Sequence, residues 1–174
     1  MPTPLENNAH AFAYCPHCRS EMVHRLEGGL QRPQCPGCGF VQYLNPAPGA
    51  GVVLFRDQKV CLVRRKFEPK LGQWSFPTGF MEWDEDVAVT ARREALEETG
   101  LEVELQEVYA VESGILPPDI PVLVVFYRAT EIGGRLQAGD DAEEVGFFAL
   151  DDLPGPIAFA VHRKVLSRLR KEIS

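Results

Sequence analysis

Three glutamates, at positions 94, 97 and 98, are spaced so that a helix would bring them together. Residues 86–99 are rich in Ala, Leu, Arg and Glu and contain neither Gly nor Pro, which predicts a helix ending before Gly100. At about 3.6 residues per turn, Glu94, Glu97 and Glu98 share one face of that helix. Like charges at this spacing repel by about 0.2–0.5 kcal/mol per pair, whereas Mg2+ prefers carboxylate oxygens and water as ligands. The cluster predicts a divalent-metal site, with a solvated acidic face as the alternative for an isolated run of charge.

A longer pattern surrounds this cluster. Residues 79–101 read GFMEWDEDVAVTARREALEETGL and fit G-x5-E-x7-R-E-U-x-E-E-x-G-U, where U is an aliphatic residue. The residues that fill the pattern are Gly79, Glu85, Arg93, Glu94, Ala95, Glu97, Glu98, Gly100 and Leu101. The stretch resembles the signature of the Nudix hydrolases at every position, with the small Ala95 in an aliphatic place.

The resemblance implies a loop–helix–loop that binds Mg2+ or Mn2+ against a pyrophosphate. The metal site it implies consists of Glu94, Glu97, Glu98, Gly79 and Glu82. It also implies that Glu85 and Arg93 pair, hold the motif loop on the helix and belong to the catalytic set. The implied reaction is hydrolysis of a nucleoside diphosphate linked to another group, in which water breaks the pyrophosphate bond.

The attacking water needs a base, and the resemblance offers two places for it. One is a motif glutamate, Glu97 or Glu98. The other is an acidic residue on the loop before the last strand, where residues 139–145 read GDDAEEV and Asp141 takes the corresponding position, followed by Glu144. The sequence leaves both choices open.

Four of the five cysteines form two C-x2-C pairs, Cys15 with Cys18 and Cys35 with Cys38, separated by sixteen residues. In a chain without a secretion-signal pattern, such pairs indicate zinc rather than disulfides. The spacing resembles a zinc ribbon, with residues 22–24 and 30–32 pairing as a hairpin across two glycines. We expect a structural Zn2+ that drives folding of this small segment. A stapled appendage or dimerisation surface is favoured over a nucleic-acid-binding role, so a homodimer is an open expectation.

Composition limits the class of protein. The 174 residues are 45% hydrophobic and 25% charged with a net charge of −7, which is ordinary for a globular protein and argues against wholesale nucleic-acid binding. No apolar run approaches the ~18–20 residues of a membrane span, and the first residues lack a signal-peptide pattern, so a cytoplasmic protein without a membrane partner is predicted. The Asn-Pro-Ala-Pro stretch at 45–48 predicts a linker. We place a zinc ribbon with a disordered tail (residues 1–13) in 1–45 and a Nudix hydrolase domain in 46–174.

The remaining chain predicts an α+β fold. Strand-like runs cover residues 50–55, 59–65, 102–111, 122–129 and 144–150, and an amphipathic helix covers 160–173. A mixed sheet between helices follows, in agreement with the α/β/α sandwich that the resemblance implies. Cys61, Trp74 and Phe76 are expected in the core, and His162 is expected to be a packed histidine rather than a catalyst.

Selectivity must come from residues outside the motif helix. Five candidates are aromatic or cationic and so suited to stacking a base or pairing with phosphate: Arg64, Arg65, Phe80, Trp83 and Tyr109. Glu144 is a further candidate for contact with substrate. NADH pyrophosphatases also join a four-cysteine ribbon to a Nudix domain, but they carry a Ser-Gln-Pro-Trp-Pro-Phe-Pro run that residues 103–122 lack. The chain more closely resembles ribbon-bearing Nudix hydrolases active on ADP-ribose or FAD, which release AMP and a second monophosphate. NADH pyrophosphatase and a non-catalytic nucleotide sensor are the alternatives.

Overall fold

The computed structural model describes residues 11–173, apart from the side chain of residue 173, and the chain divides into two compact units, Met1–Asn45 and Pro46–Ser174. The disorder predicted for residues 1–10 lies outside the described residues. It does not extend to Phe12, whose N–H donates to Gln42 Oε1 at 2.7 Å, or to Ala13, whose carbonyl accepts from Met22 N at 2.9 Å. None of the described helices combines the length and apolarity that crossing a membrane requires.

The first unit is a hairpin between two cysteine-bearing turns. Strands β1 (Val23–Glu27) and β2 (Leu30–Gln34) pair antiparallel, and Gly28 and Gly29 turn the chain with φ of 58° and 82°, a region that glycine adopts without strain. Among the described residues of this unit, four are buried: Cys15, Pro33, Cys35 and Gln42. So small a buried set cannot supply a hydrophobic core, and the stability of this unit must come from elsewhere.

The second unit is built on a seven-stranded mixed sheet. Its strands are β3 (Ala47–Arg56), β4 (Lys59–Arg65), β5 (Trp74–Ser75), β6 (Thr78–Phe80), β7 (Leu101–Leu116), β8 (Ile120–Gly134) and β9 (Ala142–Ala149). The main path runs β5-β4-β3-β8-β7, while β6 pairs with β3 and β9 with β4. The β3–β8 pair is parallel and the others are antiparallel. The predicted mixed sheet is confirmed.

Two helices, α1 (Val87–Thr99) and α2 (Ala160–Ile173), cover opposite faces of this sheet. Alternate residues of β3 face opposite ways, so Val52 and Leu54 pack with α1 and Val53 packs with α2. The small Ala91 and Ala95 let α1 lie close to the sheet. The α/β/α sandwich is therefore confirmed, and the residues expected in the core are buried as predicted: Cys61, Trp74, Phe76, Val165, Leu166 and Leu169.

The two longest strands exceed what the sequence predicted. Strands β7 and β8 leave only residues 117–119 as a loop, and β8 extends beyond both ends of the strand predicted over residues 122–129. Proline is typical of loops, yet Pro121 belongs to β8 and pairs with Ile115 of β7. Strand β3 pairs with β8 only from Val122 onward, so Pro121 has a strand neighbour on one side. Proline is tolerated at such an edge position, because no partner requires its missing N–H.

Both ends of α1 follow the sequence prediction. Asp86 caps the first turn by accepting a hydrogen bond from Ala88 N at 2.9 Å. Gly100 closes the last turn with φ of 71°, and its N–H donates to Leu96 O at 2.8 Å. A Cβ added at position 100 would lie 2.4 Å from the carbonyl oxygen of Arg135. Glycine is thus required there for conformation and for space.

We predict that Gly100→Ala destabilises the second unit by more than Gly72→Ala does. Gly72 has nearly the same φ, 74°, but an added Cβ meets nothing within 4 Å, so alanine there costs only the left-handed conformation, about 1–2 kcal/mol. Urea denaturation followed by tryptophan fluorescence measures the comparison, because Trp74 and Trp83 both lie in this unit. Equal losses in the two variants would show that the close approach to Arg135 has no energetic consequence.

Candidate active site

The motif helix carries two buried carboxylates and one exposed carboxylate. Glu94 and Glu98 are 8% and 4% exposed, whereas the side chain of Glu97 is 42% exposed. Glu94 and Glu98 line a cavity of about 240 Å3 that opens between β6, the β7–β8 hairpin and the start of α2. The predicted acidic face therefore consists of an inner pair, Glu94 and Glu98, that lines the cavity, and of Glu97, which does not line it.

One arginine ties the motif loop to the helix. Arg93 donates from Nε to Glu85 Oε1 at 2.6 Å and from Nη2 to Glu85 Oε2 at 2.9 Å and to the carbonyl of Phe80 at 3.0 Å. The expected pairing of these two residues is present. The Arg93 side chain, helped by the hydroxyl of Thr90 at 2.7 Å, lowers the pKa of Glu85 to about 2. Glu85 is thus ionised at all working pH values and acts as an anchor.

The same guanidinium also bridges two motif carboxylates. Its Nη1 lies 2.7 Å from Glu94 Oε1 and 2.9 Å from Glu97 Oε2. Like-charge repulsion along the helix is offset by this shared cation. A divalent ion that takes these oxygens as ligands would have to displace Nη1 from them, while Nε and Nη2 can stay with Glu85.

Glu98 is a buried carboxyl group that forms no ion pair within the described residues, although Arg65 lines the same cavity. Its Oε2 accepts one hydrogen bond, from Thr78 N at 2.9 Å, and no Lys or Arg of the described chain forms an ion pair with it. Burial raises its pKa to about 8, and burial likewise raises the pKa of Glu94. Carboxyl groups kept from ionising by desolvation are the groups that a bound cation would stabilise, so this donor set fits Mg2+ or Mn2+.

Gly79 contributes space rather than a side chain. A Cβ at this position would lie 2.0 Å from Glu94 Oε1, so the carboxylate packs directly on the glycine backbone. Glu82 is exposed on the motif loop and does not line the cavity; its backbone N–H donates to Glu85 Oε2 at 3.2 Å. Of the five residues expected at the metal site, Gly79, Glu94 and Glu98 line the cavity, and the metal role of Glu82 stays a prediction.

The loop before β9 brings two aspartates to the cavity. Asp141, expected from the sequence, lines it together with Asp140, which the sequence reasoning passed over. Their charges contribute to the raised pKa of Glu98 and of Glu94, respectively. The pair Asp140-Asp141 stands in the sequence as a visible acidic doublet, but nothing in it showed that both members face inward.

Only two of the six expected selectivity residues line the cavity, Arg65 and Phe80. Successive side chains of a strand face opposite ways, so Arg64 turns outward and pairs with Glu144 at 3.0 Å on β9. Tyr109 faces α2, where its hydroxyl donates to Glu172 at 2.9 Å, and Trp83 is 94% exposed on the motif loop. Arg64, Glu144, Tyr109 and Trp83 therefore lie outside the cavity lining, and their contact with substrate stays a prediction.

The rest of the cavity wall comes from other segments of the chain. Pro69 and Thr78 contribute to it. Its largest part is apolar apart from His162, and it comes from the β7–β8 hairpin and from the residues around the start of α2: Leu116, Pro117, Ile120, Val122, Val124, Phe159, Val161 and His162. No motif marks the α2 residues in the sequence, where they show only an amphipathic pattern.

The four cysteines of the first unit form a second candidate metal centre. Their sulfurs lie within 4.8 Å of one another, with Cys15 and Cys38 Sγ atoms 3.5 Å apart and Cys18 and Cys35 Sγ atoms 3.4 Å apart. A tetrahedral Zn2+ with Zn–S bonds of about 2.3 Å requires sulfur separations of about 3.8 Å, so the set fits zinc with little adjustment. His17 packs against Phe40, with ring centroids 4.7 Å apart and planes tilted by 30°, and it is not one of the four clustered residues.

Comparison with known proteins agrees with this geometry. Residues 45–169 match the family model described as the NUDIX domain. The ADP-ribose pyrophosphatase of Methanocaldococcus jannaschii is 38% identical over 127 residues, covering 71% of this chain and 73% of that protein. The human mitochondrial NAD(P)H pyrophosphatase NUDT13 is 37% identical over 161 residues, covering 91% of this chain and 43% of that protein.

A solved structure extends the similarity to both units of the chain. The crystal structure of a Nudix hydrolase from Nitrosomonas europaea shares 34% identity and a TM-score of 0.80, and the alignment covers 92% of each chain. The complete motif, the sandwich that presents it and these matches lead to one conclusion: the chain belongs to the Nudix family of hydrolases.

Proposed function

We propose that the chain is a Mg2+-dependent pyrophosphohydrolase that cleaves ADP-linked diphosphates, ADP-ribose or FAD in preference to NADH, and releases AMP with a second monophosphate. The observation that carries this proposal is the cavity itself. It places the buried carboxyl groups of Glu94 and Glu98 beside Asp140, Asp141 and a single arginine, Arg65.

The charge of this cavity argues for bound cations. Four acidic side chains against one guanidinium would repel a diphosphate, unless divalent ions reverse the local sign. We assign the ions to Glu94, Glu97 and Glu98, with Gly79 supplying room for the Glu94 carboxylate. When bound, such ions neutralise the diphosphate oxygens and stabilise the leaving phosphate. Glu85 and Arg93 position this set by holding loop and helix together.

Two groups of acids remain candidates for the base that activates water. Asp141 and Asp140 lie on the loop before β9, and Glu97 and Glu98 lie on α1; members of both groups line the cavity. A base must reach the water by direct hydrogen bond or through one further water. The loop acids need not hold an ion, which leaves them free for proton transfer, whereas Glu98 would have to serve both roles.

The preference for ADP-linked substrates rests on chemistry and on the relatives together. Arg65 lies with its guanidinium 5.0 Å from the ring centroid of Phe159, so a phosphate-binding cation and an aromatic wall adjoin. The relative from Methanocaldococcus jannaschii, whose name is ADP-ribose pyrophosphatase, is matched over most of its length. The human relative, an NAD(P)H pyrophosphatase, favours the alternative that NADH is the better substrate.

We further propose that the cysteine cluster holds one structural Zn2+. The convergence of four sulfurs supports this, as do the backbone N–H groups of His17 and Cys38, each 3.4 Å from a cysteine sulfur. Binding of the metal would replace the missing apolar core of this unit.

One zinc per chain is expected in protein purified without chelator, and elemental analysis measures it. Cys35→Ser should lose the zinc and unfold the first unit, while leaving the second unit folded. Cys61→Ala is the matched control, because Cys61 lies in the core of the second unit and should leave the zinc content unchanged. Less than half an equivalent of zinc, with the four thiols freely reactive, would contradict the assignment.

Hydrolysis is expected to require Mg2+ or Mn2+ and to fall by at least ~10²-fold in Glu97→Gln and in Glu98→Gln, since each change removes a charge that acts at the transition state. Steady-state assay of phosphate-monoester release measures this. Glu104→Gln, an exposed glutamate on β7, is the control and should keep full activity. Unchanged turnover in both motif variants would exclude the metal assignment.

The pH dependence of stability tests the raised pKa of Glu98 without any measurement of activity. The pKa of Glu98 is raised from 4.5 to about 8, so without metal the folded protein keeps a proton that the unfolded chain releases. The stability of metal-free protein should therefore decline as pH rises from 4.5 to 8, and Glu98→Gln should make that decline smaller. The raised pKa of Glu94 contributes to the decline that remains.

Asp141→Asn and Asp140→Asn in the activity assay distinguish the candidates for the base. Little loss of activity in either variant would return that role to the glutamates of α1.

The substrate order is expected to place ADP-ribose or FAD above NADH in kcat/KM, with AMP as the common product. A panel of ADP-ribose, FAD, NADH, diadenosine polyphosphates and nucleoside triphosphates, analysed by product identity, measures it. If NADH exceeds both ADP-ribose and FAD by tenfold, about 1.4 kcal/mol at the transition state, the substrate assignment is wrong. Absence of turnover on the whole panel would favour a nucleotide sensor.

A further inference from the structure

The lining of the cavity has two chemical characters. Glu94 and Glu98 contribute carboxyl groups, and the hairpin and the start of α2 contribute apolar side chains, among them Leu116, Ile120 and Phe159. Arg65 adjoins the apolar set, with its guanidinium over the ring of Phe159. A ligand whose diphosphate lies at the carboxyl groups would therefore have an apolar wall available for a neighbouring group.

The one polar side chain in this apolar part is His162, on the first turn of α2. The backbone N–H of Phe76 donates to its Nδ1 at 3.1 Å. Because Nδ1 accepts, it carries no proton, and the neutral imidazole must carry its proton on Nε2. The hydrogen bond thus sets the tautomer, and with it the donor that His162 can offer.

The ring is held in place and is neutral. It stacks on Phe76 at a centroid distance of 5.9 Å and meets Phe126 edge-on at 5.4 Å and Phe159 at 5.6 Å. Burial, reinforced by the charges of Arg65 and Arg163, lowers the pKa of His162 to about 3. The imidazole therefore stays uncharged at any working pH.

The Nε2–H group has no protein partner among the described residues, and it is not one of the polar atoms of the described chain that are sealed in the interior without a partner. His162 lines the cavity, and with Nδ1 taken by the Phe76 N–H, Nε2 is the ring nitrogen left to donate to a ligand there. An N–H that only filled the core would be expected to have a protein acceptor.

We propose, building on the function proposed above, that His162 is a specificity-determining residue that binds the adenine of the AMP half through Nε2–H. The adenine lies against the apolar wall and one of its ring nitrogens accepts the hydrogen bond. A ribose phosphate suits this space poorly, because its hydroxyl groups would lose water and find a single donor among apolar side chains. The adenine base is therefore the part of an ADP-linked substrate that the apolar wall and His162 recognise.

Two substitutions separate the structural contact of His162 from its contact with ligand. His162→Asn keeps an acceptor near the Nδ1 position for the Phe76 N–H and removes the donor at Nε2. His162→Gln returns an amide donor near the Nε2 position and leaves the Phe76 N–H without its acceptor. The stability of the variants should thus depend on the contact at the Nδ1 position, and their affinity for AMP should depend on the donor at the Nε2 position.

The test measures thermal unfolding and the binding of AMP and of ribose 5-phosphate by calorimetry, with Mg2+ present and without turnover. His162→Asn is expected to weaken AMP binding about tenfold, to leave ribose 5-phosphate within twofold and to unfold near the wild-type temperature. His162→Gln is expected to unfold at a lower temperature and to bind AMP more tightly than His162→Asn does.

Three results would overturn the inference: no AMP binding by the wild type, unchanged AMP affinity in His162→Asn, or equal weakening of AMP and ribose 5-phosphate. Because binding is measured directly, these results are distinct from a failure of the proposed activity. Wild-type hydrolysis of ADP-ribose together with unaltered AMP binding in His162→Asn would reject the role of His162 alone.

Discussion

The guanidinium of Arg93 determines how the motif loop meets the motif helix. It donates two hydrogen bonds to Glu85 and one to the Phe80 carbonyl. Its Nη1 donates to both Glu94 and Glu97. A cluster of carboxylates on one helix would otherwise be driven apart by its own charge. Because Arg93 contacts Glu94 and Glu97, the acidic groups are held together in the absence of metal. A bound metal would compete with Nη1 of Arg93 for these oxygens and would not be needed to bring them together.

The closeness of α1 to the sheet produces the electrostatic character of the inner carboxyl groups. Gly79 brings backbone where a side chain would collide with Glu94, and Ala91 and Ala95 allow the helix to approach β3. Water is excluded as a result, which makes the ionised form of Glu98 costly until a cation stabilises it. The packing of small residues and the affinity proposed for a divalent ion would thus have the same physical origin.

The features that depend on local spacing could be predicted from the sequence. The helix with its Asp86 and Gly100 ends, the Glu85–Arg93 pair and the bounds of α2 all follow from patterns within some twenty residues. The pattern could not tell which of Arg64 and Arg65 faces the cavity, because either phase of an apolar strand places one arginine inward.

The features that depend on distant segments could not be predicted in this way. His162 reads as one more member of an amphipathic stripe, and only the approach of Phe76, 86 residues earlier, gives its ring a fixed tautomer. The long pairing of β7 with β8 was hidden for a similar reason. Proline disrupts a strand that is paired on both sides, because it has no N–H to donate to the second neighbour. Pro121 is tolerated in β8 because only β7 pairs with it, and β3 begins to pair one residue later.

The tip of the β7–β8 hairpin, residues 116–120, contributes Leu116, Pro117 and Ile120 to the cavity wall while the carboxylates come from α1. The carboxylates and the apolar wall therefore lie on separate segments of the chain. Hairpin tips tolerate sequence change better than packed helices do. Descendants of this chain could thus come to accept a different nucleoside by altering a few residues at the hairpin tip, with the motif helix inherited intact.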